Sequence, residues 1–158
     1  MTADYANLAL PPWRGFHHVA LVTRDLDATI RFYDEVLGME IGSIAQAGEL
    51  HGRHCGIRPG SEPDRVGLHF FEYPHAPHSN PHDQSLEATV FNPGATFLSH
   101  ISFALPNENA GLALRERLTS HGVPMTPILE PEGDWQIIVF LDNNGMALEA
   151  IWPKEASV

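Results

Sequence analysis

A strand, a helix and three further strands are written twice along this chain, and that repeat restricts the fold more than any other feature. FHHVALV, Phe16 to Val22, is a short β-branched and aromatic run that closes on a polar turn, which predicts a strand. Leu26, Ile30, Tyr33 and Leu37 then recur at helical spacing, with Asp25 and Asp27 at the start and Gly38 placed to end the helix. Three strands are expected after it, near Met39–Gln46, Arg53–Arg58 and Arg65–Tyr73. The second half keeps the order. SHISFAL, Ser99 to Leu105, leads into a helix near Asn107–His121, which Asn107 or Asn109 can cap and Gly122 with Pro124 stops. The closing strands are expected near Val123–Glu130, Gln136–Asp142 and Met146–Trp152, the last two joined by the Asn143, Asn144, Gly145 turn.

The period is nearly constant. His18 and His100 are 82 positions apart, Gly38 and Gly122 84, and His69 and Glu149 80. The expected fold class is therefore α+β, with two tandem βαβββ modules over residues 15–73 and 98–153. Residues 1–14, with Trp13 after Pro11 and Pro12, form an N-terminal arm. Residues 74–97, rich in Pro, His, Asn and Ser, form a long connection, and connections of such length are commonly functional.

Composition narrows the class of partner. The chain has 158 residues, 43% of them hydrophobic, which suffices for a core. Its formal charge of -11 repels phosphate backbones and anionic membrane surfaces, so neither nucleic acid nor membrane is an expected partner. No basic leader precedes an apolar stretch and no apolar run of about eighteen residues occurs, so a cytoplasmic protein is expected. Cys55 is the single cysteine, which excludes an intramolecular disulfide and any cysteine metal cluster. Among the 10 histidines, His51, His54, His75, His78 and His82 lie in Gly- or Pro-punctuated stretches and read mostly as solvated loop residues.

Strand parity sorts the remaining candidates, because alternate side chains face opposite sides of a sheet. His18 shares a face with Ala20 and Val22, and His100 with Ser102 and Ala104. The bulky alternates, Val19 and Leu21 or Ile101 and Phe103, suit packing under a helix. Glu149 falls with Ala147 and Ile151, and His69 with Gly67 and Phe71. His17 and Glu72 lie on the other parity and are set aside. His18, His69, His100 and Glu149 are thus candidate ligands for one divalent metal ion, since neutral imidazole and carboxylate suit Fe, Zn, Ni, Co or Mn. Glu149 and His69 are also the candidate catalytic bases.

FHHVALV with RDLDATIRFYDEVLGM in the first half, and SHISFAL with VFLDNNGMALEAIW in the second, resemble the vicinal oxygen chelate superfamily. That superfamily includes glyoxalase I, bleomycin-resistance proteins and extradiol dioxygenases. The resemblance spans Phe16 to Pro153 and implies curved mixed sheets around a metal-binding cleft, often within a homodimer. It places the family's metal ligands at His18, His100 and Glu149. The fourth family position falls on His69, where glyoxalase I enzymes usually have Glu and methylmalonyl-CoA epimerases Gln. It further implies a small oxygenated substrate chelated through neighbouring oxygens, with isomerase, lyase, epimerase and ring-cleaving dioxygenase chemistry all open. Between Pro124 and Met146 the chain has no His and no Tyr, which the family's dioxygenases usually add there. The alternative is a non-catalytic binder of the bleomycin-resistance type, for which net acidity with Trp13, Trp135 and Trp152 would suit a cationic ligand.

Overall fold

The computed structural model describes residues 16–46, 52–60, 67–76, 86 and 98–154. The expected arm over 1–14 lies outside the described residues, as does most of the 74–97 connection.

Elements follow the predicted order, with local differences. Strand β1 (Val19–Thr23) leads to helix α1 (Leu26–Arg31), whose start is capped by the Asp25 carboxylate accepting from the Ala28 N–H at 2.8 Å. The helix runs on as a π-helical turn, Phe32–Val36, and ends at Gly38, which takes φ 70°, a conformation that favours glycine. The single strand expected over Met39–Gln46 is two short ones, β2 (Glu40–Ile41) and β3 (Ala45–Gln46), both pairing with β4 (Arg53–Arg58). Strand β5 (Leu68–Glu72) completes the first sheet, in the order β1-β5-β4-β2.

The second sheet is built from β6 (Ile101–Ala104), β7 (Trp135–Leu141) and β8 (Ala147–Pro153), ordered β6-β8-β7. Helix α2 (Glu108–Ser120) precedes β7 and is capped by Asn107, which accepts from the Ala110 N–H. Val123–Glu130 carries only isolated bridges, Met125 to Phe140 and Leu129 to Ile137. Pro124 and Pro127 remove two N–H donors there, which prevents a continuous ladder.

The two sheets pair their strands alike. In each, the first strand runs parallel to the last, and the last runs antiparallel to its other neighbour. Ala20 lies opposite His69 and Ser102 opposite Glu149.

One core joins both halves. Leu26, Tyr33, Cys55, Ile57, Leu68 and Phe70 pack with Leu118, Ile138, Phe140, Leu148, Ala150 and Trp152. Burying each large side chain of this set contributes roughly 1.5–3 kcal/mol. Trp152 is fully buried and its indole lies where a Cβ at Gly111 would stand, 2.5 Å away. Polar groups also cross between the halves. The buried Tyr33 hydroxyl donates to Asp142 at 3.1 Å, Asn143 donates to Thr29 at 3.0 Å, and Arg117 donates to the Val36 and Glu35 carbonyls at the end of the π-helical turn. Among the described residues, no helix is long and apolar enough to cross a membrane.

Candidate functional site

Each sheet turns one face to the core and the other away from it. On β1 Val19 and Leu21 pack on the core while Ala20 and Val22 are exposed; on β6 Ile101 and Phe103 pack inward while Ser102 and Ala104 are exposed. The candidates follow that division, since His69 pairs with Ala20 and Glu149 with Ser102.

They come together in two pairs. The His18 and His69 rings are 5.4 Å apart, centre to centre, at 74°. On the other sheet, His100 Nε2 lies 3.9 Å from Glu149 Oε2. Among the described residues no three His, Cys, Asp or Glu side chains converge on an ion-sized point. Both pairs sit on sheet faces turned away from the common core.

Every member has one polar atom engaged by a neighbour. His18 Nδ1 is 2.8 Å from His17 Nδ1, and His69 Nε2 is 2.6 Å from His54 Nδ1. Ser99 Oγ lies 3.3 Å from His100 Nδ1, and the Ser102 hydroxyl donates to Glu149 Oε1 at 2.6 Å. In each case a second atom makes no hydrogen bond among the described residues: His18 Nε2, His69 Nδ1, and His100 Nε2 and Glu149 Oε2, which face each other at 3.9 Å. Paired engagement of this kind is how protein ligands are oriented toward a metal. Burial, with the His54 and His18 charges adding to it, holds the His69 pKa below the ordinary imidazole value. The neutral, lone-pair-bearing ring is the form that a ligand or a base requires.

His54 stands on β4, the strand expected over Arg53–Arg58, and is not one of the solvated loop histidines it was grouped with; its ring stacks on Phe71 at 5.2 Å and 19°. Cys55 and Ile57 are buried in the core, so strand alternation sends His54 to the face that carries His69 and Phe71. That alternation is readable in RHCGIR; Gly52, Gly56 and Pro59 obscured it. His17, set aside by parity, reaches His18 because it precedes the start of β1, where strand alternation no longer governs direction.

Glu72 has a different task. It accepts from the Leu26 N–H at the start of α1 and from Arg53, which also pairs with Asp27. Its pKa is held below the usual glutamate range, chiefly by Arg53. On the second sheet, Leu86 from the inter-module connection packs on Val139, Leu141 and Ala147. Val139 is the register partner of Glu149, so Leu86 lies on the candidate face. Trp152, considered above as a ligand-binding aromatic, is fully buried and donates to Gln136, so it cannot serve that role; Trp13 lies outside the described residues.

Comparison with known proteins bears on this geometry. A crystal structure of a glyoxylase/bleomycin resistance protein/dioxygenase domain from Frankia sp. EAN1pec is 26% identical, with a TM-score of 0.66, covering 92% of this chain and 96% of that one. The same fold occurs in a lactoylglutathione lyase from Agrobacterium tumefaciens, 20% identical, with a TM-score of 0.61 over 90% of this chain and 96% of that one. The fosfomycin resistance protein FosX from Listeria monocytogenes is also similar, at 19% identity and a TM-score of 0.61 over 90% and 96% of the two chains. Comparison with curated protein sequences returns no match. With residues 15–150 matching the model of one family across both sheets, the chain belongs to the Glyoxalase/Bleomycin resistance protein/Dioxygenase superfamily.

Proposed function

We propose that this protein is a metal-dependent enzyme of the vicinal oxygen chelate type, acting on a small oxygenated substrate through a centre shared between two copies of the chain. The observation that carries the reading is the matched placement of two polar pairs, with His18 and His100 just before the first strand of each sheet and their partners His69 and Glu149 on the last. Three imidazoles and one carboxylate suit a divalent Fe, Zn, Ni, Co or Mn ion. Because the pairs do not converge within one chain, a second copy supplies the missing half.

A bound ion would supply Lewis-acid stabilisation of negative charge on two adjacent substrate oxygens. The chain's own groups divide the remaining work. Neutral His69 and the Glu149 Oε2 atom are the groups able to accept a proton from a substrate carbon, and Ser102 restrains the other carboxylate oxygen. Leu86 with Val139 provides an apolar wall beside Glu149, which reduces access of water.

The deciding experiment is metal analysis of protein purified without a chelating tag, followed by titration with Fe, Zn, Ni, Co and Mn. About one equivalent per chain is expected. Less than about half an equivalent, with no gain on adding any of the five, would favour a metal-free binding protein instead. Screening α-keto hemithioacetals, acyl-CoA esters and catechols with the loaded protein then assigns the reaction.

A further inference from the structure

We propose that His54 is a positioning residue that fixes the tautomer of His69, so that His69 works through Nδ1. The bond between His54 Nδ1 and His69 Nε2, at 2.6 Å, needs one ring to donate and the other to accept. Were His54 the donor, His69 would accept at Nε2 and carry its own proton on Nδ1, leaving no lone pair. Such a ring can neither ligate a metal nor accept a proton. The reverse arrangement, with His69 Nε2–H donating to His54 Nδ1, frees Nδ1 of His69 for both purposes.

The surroundings hold the two rings together. Phe71 stacks on His54 at 5.2 Å and also contacts the His69 ring, whose centre lies 4.5 Å from its own. His54 and His69 sit on neighbouring strands, with Gly56 directly opposite His69 and His54 opposite Phe71. Gly56 presents no side chain, which leaves room over β4 for the two rings to meet. The half-buried setting limits competition from water for the bond. At His18 the bond falls instead on Nδ1, through His17, so the two imidazoles of this sheet expose opposite ring nitrogens.

The choice of tautomer and its consequence for metal affinity both rest on the function proposed above, but the tautomer is read without metal. Long-range proton–nitrogen NMR of the full, metal-free chain at about pH 8, above the ordinary imidazole range, reads the protonated ring nitrogen directly. His69 is expected protonated at Nε2 and bare at Nδ1, and His54 the reverse of a donor, bare at Nδ1. His54→Phe keeps a ring on Phe71 but removes the acceptor, and it is expected to shift His69 toward the Nδ1–H form. His54→Asn, whose side-chain oxygen stands near the former Nδ1 position, is expected to restore the Nε2–H form.

With Co(II) as probe, read by its visible absorption, His54→Phe should bind about 10- to 100-fold more weakly and His54→Asn close to wild type. His69 protonated at Nδ1 in the wild type, or a His69 tautomer unchanged in His54→Phe, would overturn the inference. If the wild-type chain takes up no metal, the proposed function fails while the NMR result still decides the roles of His54 and His69.

Discussion

Asp142 offers the sharpest test of how the two halves are held together. It is fully buried, and its Oδ1 accepts from the N–H groups of Asn144 and Met146, both at 2.8 Å. Its Oδ2 accepts from the buried Tyr33 hydroxyl of the first half. Asp142→Ala strands that hydroxyl at a cost of about 1–3 kcal/mol and removes two turn hydrogen bonds worth about 1 kcal/mol each. Burial raises the Asp142 pKa, so relieving that desolvation returns part of the loss. The net expectation is about 3 kcal/mol, a large fraction of the stability of a domain this size. Urea unfolding followed by circular dichroism measures it, with unchanged m-value as the check on two-state behaviour. Asp142→Asn keeps Oδ1 for the turn and offers its amide to the Tyr33 oxygen, so it should cost about 1 kcal/mol or less. Equal losses for the Ala and Asn variants, or an Ala loss below about 1 kcal/mol, would refute the reasoning.

Other outcomes follow from the same structure. His100→Ala should lose bound metal while retaining its circular dichroism spectrum, because the ring is exposed; unaltered metal content would remove it from the site. Gly111→Ala should destabilise by about 1–3 kcal/mol despite alanine's better helix propensity, because the added methyl meets the buried Trp152 indole; a thermal melt that rises would show that the indole moves aside. Glu72, with its pKa depressed chiefly by Arg53, contributes stability that is present above the ordinary glutamate pKa and lost as pH falls through the depressed one. Glu72→Gln should therefore flatten the acid side of the stability curve, and an unchanged slope there would count against the Arg53 pairing.

Much of the fold was legible because two periods, near 3.6 on the helices and 2 on the strands, mark buried faces directly. The stops at Gly38 and Gly122 were readable from residue chemistry alone, whereas for the caps it offered Asp25 with Asp27 and Asn107 or Asn109, of which Asp25 and Asn107 serve. The irregular stretches were not. Met39–Gln46 divides into two short strands, and Pro124 with Pro127 reduces Val123–Glu130 to isolated bridges, effects that depend on which neighbour supplies the ladder. The site was half legible. Parity grouped Glu149 with Ala147, and the register agrees with that grouping, whereas His18 precedes β1 and falls outside the register. It did not reveal His54 beside His69, because the contact depends on the register between two strands, which the alternation within each does not fix. Nor did it reveal that the pairs occupy faces turned from one core, which is a property of how the sheets pack.

The shared centre can be tested by giving each half to a different chain. One chain carries His18→Ala with His69→Ala, the other His100→Ala with Glu149→Gln, and each alone should hold no metal. A heterodimer isolated through two different non-chelating tags has one intact combination of His18, His69, His100 and Glu149 and one fully dismantled. About one ion per heterodimer is the expected content, against about two for the wild-type dimer. A heterodimer without metal, beside a wild-type dimer that binds it, would contradict a centre formed between two chains.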